Sequence, residues 1–240
     1  MTPRQNQGAG KRNAPAVPLD YYDFKLEKRT PNQFFVFYGG RVTEKKYLEG
    51  LRTDLANKAR DKSQFVHLKF LHQAPKQTVE FVLGEVQKRQ QKSAANIEED
   101  IVWVVFDKDD FGENYTAAIS LANQNRIKVA YSNECFPLWL LLHFQEQISK
   151  IGRGQLEEFL RRKWEETKRK PIDNKSDVKH FPYGILRKHG NRAMAIERAK
   201  ALYEQAVVEN PQSPWEVNPV TTVYELVEQL IDFFAESLGE

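Results

Sequence analysis

One cysteine in 240 residues, Cys135, leaves no partner for an intrachain disulfide and no means of building a cysteine-based zinc site from this chain alone. That usage fits a reducing compartment, and Cys135 reads as a small core residue. Long apolar runs are also missing. No stretch approaches the roughly 18 apolar residues a membrane span needs, and the N-terminal segment holds no signal-peptide core. A cytoplasmic protein with no membrane partner is therefore expected. Neither sign of charge dominates: 36 Lys and Arg against 33 Asp and Glu give a formal net charge of +3. Attraction for nucleic acid would have to come from local clusters. What the chain does have is apolar mass, 40% hydrophobic and 12% aromatic, which supports a sizeable core and excludes wholesale disorder.

The pattern along the chain predicts three regions. Residues 1–30 begin with a stretch rich in Gln, Gly, Asn, Pro and Ala that carries Arg4, Lys11 and Arg12, a composition suited to a flexible basic tail. Residues 31–150 repeat one theme, a short β-rich apolar run followed by a helical stretch, which signals βα units and a mostly parallel sheet flanked by helices. The runs are Phe34–Tyr38, Phe65–Leu71, Ile101–Phe106 and Ile127–Tyr131. Ile101–Phe106 is apolar at every position, as expected of a central strand covered on both faces. Thr43 is read as the cap of the helix after the first run, and Ser132 and Asn133 as caps of the buried helix that follows the fourth. Residues 151–240 read as a helical C-terminal extension packed on the core, with no further strand and with loops at 168–180 and 210–219.

Three constellations could carry chemistry. In IVWVVFDKDDF, Asp107 and Asp109 lie on one side of the chain if the extended conformation persists beyond the strand. Ligands of open α/β sheets gather at the carboxyl ends of strands. Two converging carboxylates repel, and a hard divalent cation such as Mg²⁺ or Mn²⁺ relieves that cost. The plain alternative is an Asp-rich turn that ends a strand, with Lys108 neutralising its neighbours and Asp110 capping the next segment. The second constellation is Gly39-Gly40-Arg41-Val42-Thr43-Glu44, a strand-to-helix turn where backbone N–H groups beside Arg41 could take a phosphate. Its plain alternative makes Glu44 a complement to the helix dipole. The third is YSNECFPLWLLLHF, in which His143 and Trp139 read as core residues. A basic segment that includes Arg161, Arg162, Lys168, Arg169 and Lys170 interleaves with Trp164 and reads either as a nucleic-acid contact or as a solvated helix face.

Taken in this order, with Asn218-Pro219-Val220-Thr221-Thr222 near the end, these segments resemble the RloB-like proteins. Those are accessory proteins of bacterial restriction and phage-defence loci, with a core similar to the Toprim domain of topoisomerases, primases and overcoming-lysogenisation-defect nucleases. The resemblance spans residues 34 to about 230. It implies a Toprim-like sheet in which Asp107 and Asp109 hold the metal against a phosphodiester, with Glu44 as a further acidic member. Gly40, Arg41 and Lys108 would lie near the phosphate. It also implies two departures: Gly39 stands where the family's first glutamate would act, and Pro137 where a later glutamate would stand. Glu134 is a candidate substitute for the second. Two readings stay open. One is a Mg²⁺-dependent nuclease or phosphoryl-transfer enzyme acting on nucleic acid in anti-phage defence. The other is a catalytically reduced module that binds nucleic acid or nucleotide, or serves with a restriction or ATPase partner protein.

Overall fold

Alternation along the strands sends successive side chains to opposite faces, and in this chain it builds a separate core on each face of the sheet. The computed structural model describes residues 33–57, 60–92, 100–168 and 175–235. The expected tail over 1–30, together with Arg169 and Lys170, lies outside them. The strands are β1 (Phe34–Tyr38), β2 (Val66–Phe70), β3 (Ile101–Asp107), β4 (Lys128–Asn133) and β5 (Val220–Thr221). They form one five-stranded sheet in the order β2-β1-β3-β4-β5. The first four run parallel and β5 pairs antiparallel with β4. Phe34, Val36, Trp103 and Val105 face one core; Phe35, Phe37, Val104 and Phe106 face the other.

The helices are α1 (Thr43–Ala56), α2 (Pro75–Lys92), α3 (Glu113–Gln124), α4 (Pro137–Leu142), α5 (Arg153–Lys168), α6 (Tyr183–His189), α7 (Arg192–Glu209) and α8 (Val223–Ala235). Val79 and Val82 of α2, with Tyr115, Ala118 and Ile119 of α3, cover the second face. The first face takes Leu48 and Leu51 of α1, Leu138 to Leu142 of α4, and the apolar stripes of α5 and α8. Burying each large apolar side chain contributes roughly 1.5–3 kcal/mol, so the two layers lock the sheet between them. The fold is α/β, a mostly parallel sheet flanked by helices with a helical C-terminal region, as the repeat predicts.

The expectation that strands stop before residue 151 is corrected by β5. Its two residues are too short to show a period, and hydroxyls hold it. Thr221 Oγ1 donates to the Tyr131 carbonyl at 2.9 Å and Thr222 Oγ1 to the Val129 carbonyl at 3.1 Å. The capping expectations are corrected too. Thr43 is the first residue of α1 and not its cap, and its hydroxyl donates to the Lys179 carbonyl. Ser132 Oγ pairs with Thr221 Oγ1, and Asn133 Nδ2 donates to the Trp215 and Glu216 carbonyls, so neither caps α4. Gly112, not Asp110, precedes α3 at the cap position. Within the stretch read as a charged loop, Lys175–His180 forms a 3-10 turn.

The strand order locates the site. From β1 the chain moves outward to β2, then crosses back to β3 and continues to β4 on the other side. The carboxyl ends of β1 and β3 therefore flank the point where the winding reverses, the position at which ligands of open α/β sheets commonly bind.

Candidate acidic site

Adjacent strands bring the acidic residues of two distant segments together. Tyr38, the last residue of β1, pairs with Val105, and Gly39 N–H continues that ladder to the Val105 carbonyl at 3.2 Å. Two residues beyond Val105, β3 ends on Asp107. After Gly39 and Gly40 the chain turns into α1, whose first turn carries Glu44. A Cβ on Gly40 would lie 1.7 Å from the Glu44 carboxyl carbon. Gly40 is thus glycine because the Glu44 carboxylate occupies the space a side chain would fill. Gly39 has ordinary room, its nearest neighbour to an added Cβ being the Gln73 carbonyl at 3.5 Å.

The electrostatics are those of crowded like charges. Glu44 is 6% exposed. Burial first, then the charge of Asp109, raises its carboxyl to about 7, against the pull of its own backbone N–H. Burial, then Glu44 and Asp109, holds Asp107 well above the ordinary carboxylate range, opposed by the Phe136 N–H and by Arg153. Asp107 is partly exposed as a residue, yet its Oδ1 is shut off from solvent without a hydrogen-bond partner. Asp109 is raised by burial and by Asp110 and Glu134, while Arg153 pulls it down. Burial and the same aspartates push the Cys135 thiol up, which leaves it an inert core residue.

Arg153 is the member that sequence reading missed. It opens α5 and forms an ion pair with Asp109. What aims it is Asn218: Oδ1 accepts from Ile151 N–H at 3.0 Å, and Nδ2 donates to the Ile151 carbonyl at 3.0 Å. The same Nδ2 reaches Glu134 Oε2 at 3.4 Å. The Asn-Pro motif therefore pins the start of α5, and through it the guanidinium that faces the aspartates. The motif was visible in the sequence, whereas Arg153, 44 residues from Asp109, has no spacing that betrays it.

The other expected residues divide. Glu44, Asp107 and Asp109 come close enough for each charge to shift a neighbour, and Glu134 bears on Asp109. The extended conformation does not persist past Asp107, since Asp109 has φ +41. The cation on Asp109 is Arg153, not Lys108. Arg41 is exposed at the turn. Arg161 and Arg162 lie on α5, each paired with Glu158 and Arg161 also with Glu165. Trp164 faces the core, 5.7 Å from Phe181 between ring centroids, so it offers no ring for stacking. His143 and Trp139 are buried as predicted.

Whether these residues suit a hard cation can be judged from their donors. Among the described residues, no group of three or more His, Cys, Asp or Glu is placed to hold a metal ion. Mg²⁺, however, is commonly held by one or two carboxylates plus waters and substrate phosphates. Glu44 and Asp107, crowded and with an orphaned oxygen, fit that smaller protein share, while Asp109 is engaged by Arg153.

The family model for RloB-like proteins matches residues 34–230. The chain belongs to the RloB-like family. No curated protein and no solved structure matches it. The matched span of this RloB-like protein runs from β1 into α8 and so takes in every acidic residue above as well as Arg153 and Asn218.

Proposed function

We propose that this RloB-like protein is a Mg²⁺-dependent, Toprim-like phosphoryl-transfer enzyme that cleaves nucleic acid, in the anti-phage setting its resemblance implies. The observation that carries the reading is the Glu44 carboxylate lodged against Gly40. Gly39 lacks the side chain expected at the end of β1, but Glu44 sets a carboxylate one residue further on, in the space beside Gly40. Asp107 and Glu44 would hold the ion, and Mg²⁺ or Mn²⁺ would supply charge stabilisation to phosphoryl oxygens. Arg153, already balancing Asp109, would move its guanidinium to the phosphate, whose geometry it matches in bidentate fashion. Arg41 and Lys108 would contact the neighbouring backbone.

The second reading, a catalytically reduced module that binds nucleic acid or nucleotide beside a restriction or ATPase partner, is favoured by the bare Gly39. Cleavage assays on RNA and DNA with Mg²⁺ and Mn²⁺ separate the two. Cleavage by the wild type that is lost in both Glu44→Gln and Asp107→Asn supports the enzyme. No cleavage by the wild type, with Mg²⁺-dependent activity appearing in Gly39→Glu, supports the reduced module. Cleavage untouched by either acidic substitution would remove this site from the account.

A further inference from the structure

A second polar constellation lies at the other end of α4 and shares no residue with the acidic site. His143 follows α4 and is 4% exposed. Its Nδ1 lies 2.9 Å from the Trp139 carbonyl, which fixes the proton on Nδ1 and leaves Nε2 as a bare acceptor. Among the described residues that is the imidazole's sole hydrogen bond. His143 lines an open cleft of about 620 Å³, with Lys163 of α5 on one wall and Asn191, Met194 and Arg198 on the other.

The opposite wall is built to approach closely. A Cβ on Gly190 would come 2.9 Å from the His143 Cβ and 2.8 Å from the Leu186 carbonyl, so only glycine lets this turn close. Asn191 N–H then donates to the His143 carbonyl at 2.8 Å, and its Oδ1 accepts from Met194 N–H at 3.0 Å, capping α7. The first turns of α7 thus form one wall of the cleft, through Asn191, Met194 and Arg198. Arg198 is anchored by a 2.7 Å bond from its guanidinium to the Leu142 carbonyl, while its Nε–H is buried without an acceptor. Burial lowers His143 to about 4, and the positive charges of Arg192 and Arg198 add to that shift, so the floor of the cleft is electropositive. Glu166 at the rim takes Lys163 at 3.0 Å, which leaves Arg198 as the deep cation.

We infer that this cleft binds a phosphate monoester group, carried by a free nucleotide or by the end of a nucleic acid. A monoprotonated phosphate matches this pairing of acceptor and cation: its P–OH donates to His143 Nε2, and its other oxygens accept from the Arg198 guanidinium that lines the cleft. A dianion lacks the donor, and a simple alcohol lacks the charge. The site stands whether or not the acidic cluster cleaves anything.

The test is proton–nitrogen NMR of the His143 ring in the full chain. It is titrated with inorganic phosphate, AMP, and oligonucleotides bearing a 5′-phosphate or a 5′-hydroxyl, with adenosine and chloride at matched ionic strength as controls. Phosphate-bearing ligands should shift His143 Nε2, and the controls should not. A response to AMP marks a free-nucleotide site; a response to 5′-phosphorylated oligonucleotide alone marks end recognition. Met194 is 41% exposed, so Met194→Glu puts a negative charge at the mouth without disturbing the core and should weaken phosphate binding at least about tenfold. No shift of His143 with any phosphate ligand, an equal shift with adenosine, or unchanged affinity in Met194→Glu would overturn the proposal.

Discussion

The acidic edge of the sheet and the charged face of α5 look alike in sequence, both being short runs dense in Asp, Glu, Lys and Arg, but they differ in how charge is settled. On the exposed face of α5, Arg161 and Arg162 each find a Glu three or four residues away, and Glu158 is pulled down to about 2 by the bonds from both. Such exposed pairs are complete in themselves and worth little. At the ends of β1 and β3 three carboxylates are raised, one oxygen is orphaned, and a single guanidinium answers them. A set of charges left unsettled by its own fold is set up to meet something from outside.

The sharpest way to break this contrast is Asp107→Asn. It should lower Mg²⁺-dependent cleavage at least about 10²-fold, the loss of several kcal/mol of charge stabilisation. Because it removes a crowded buried charge, it should raise the melting midpoint. A fall in both would mean that Asp107 is structural.

Gly40→Ala should act at a distance from its own chemistry. The new methyl evicts the flexible end of Glu44, so cleavage should fall by about 10-fold or more while the fold is kept, matching Glu44→Gln. Intact activity would show that the lodged carboxylate is not used.

Acid titration probes the same crowding. The folded value of Glu44 lies above its ordinary 4.5, at about 7, so the folded state holds the proton more tightly. This contribution to stability is greatest below 4.5 and falls as pH rises through that interval, by up to about 3 kcal/mol. Denaturant unfolding across the interval should show the decline, flattened by Mg²⁺ and reduced in Glu44→Gln. A stability that rises instead would refute the crowding.

Arg153→Gln should cost about 1 kcal/mol, a partly exposed pair being discounted for solvent. Mg²⁺ should then stabilise the variant more than the wild type. The smallest effect belongs to α5, where Arg162→Ala should leave melting and nucleic-acid affinity unchanged. A clear loss of affinity would put the helix face back among the binding surfaces.

Most of the sheet was legible because its signal is local. Phe34–Tyr38 and Ile101–Phe106 are apolar beyond what a loop tolerates, and the turn residues after them mark their ends. Glu44, Asp107 and Asp109 were legible for the same reason, as each stands at or shortly after a strand end. What escaped depends on partners far along the chain. Val220–Thr221 becomes a strand because it lies beside β4, where the Tyr131 carbonyl accepts from the Thr221 hydroxyl and Ser132 Oγ donates to it. Arg153, between Gly152 and Gly154, reads as a flexible turn until Asn218 fixes the backbone beside it. The short α6 carries too few residues to show a period.

The Asn218 clamp also sets an order of events. Its partners lie 67 residues away at Ile151 and 84 away at Glu134, and the Ser132–Thr221 link spans 89. Contacts of such separation form late, because a long loop must close before they return any energy. On a ribosome Glu44 of α1 and Asp107 of β3 therefore emerge before the segment that aims Arg153 has been synthesised. The nascent chain carries its acids before their cation is positioned, and the site is complete only once Asn218 has been made.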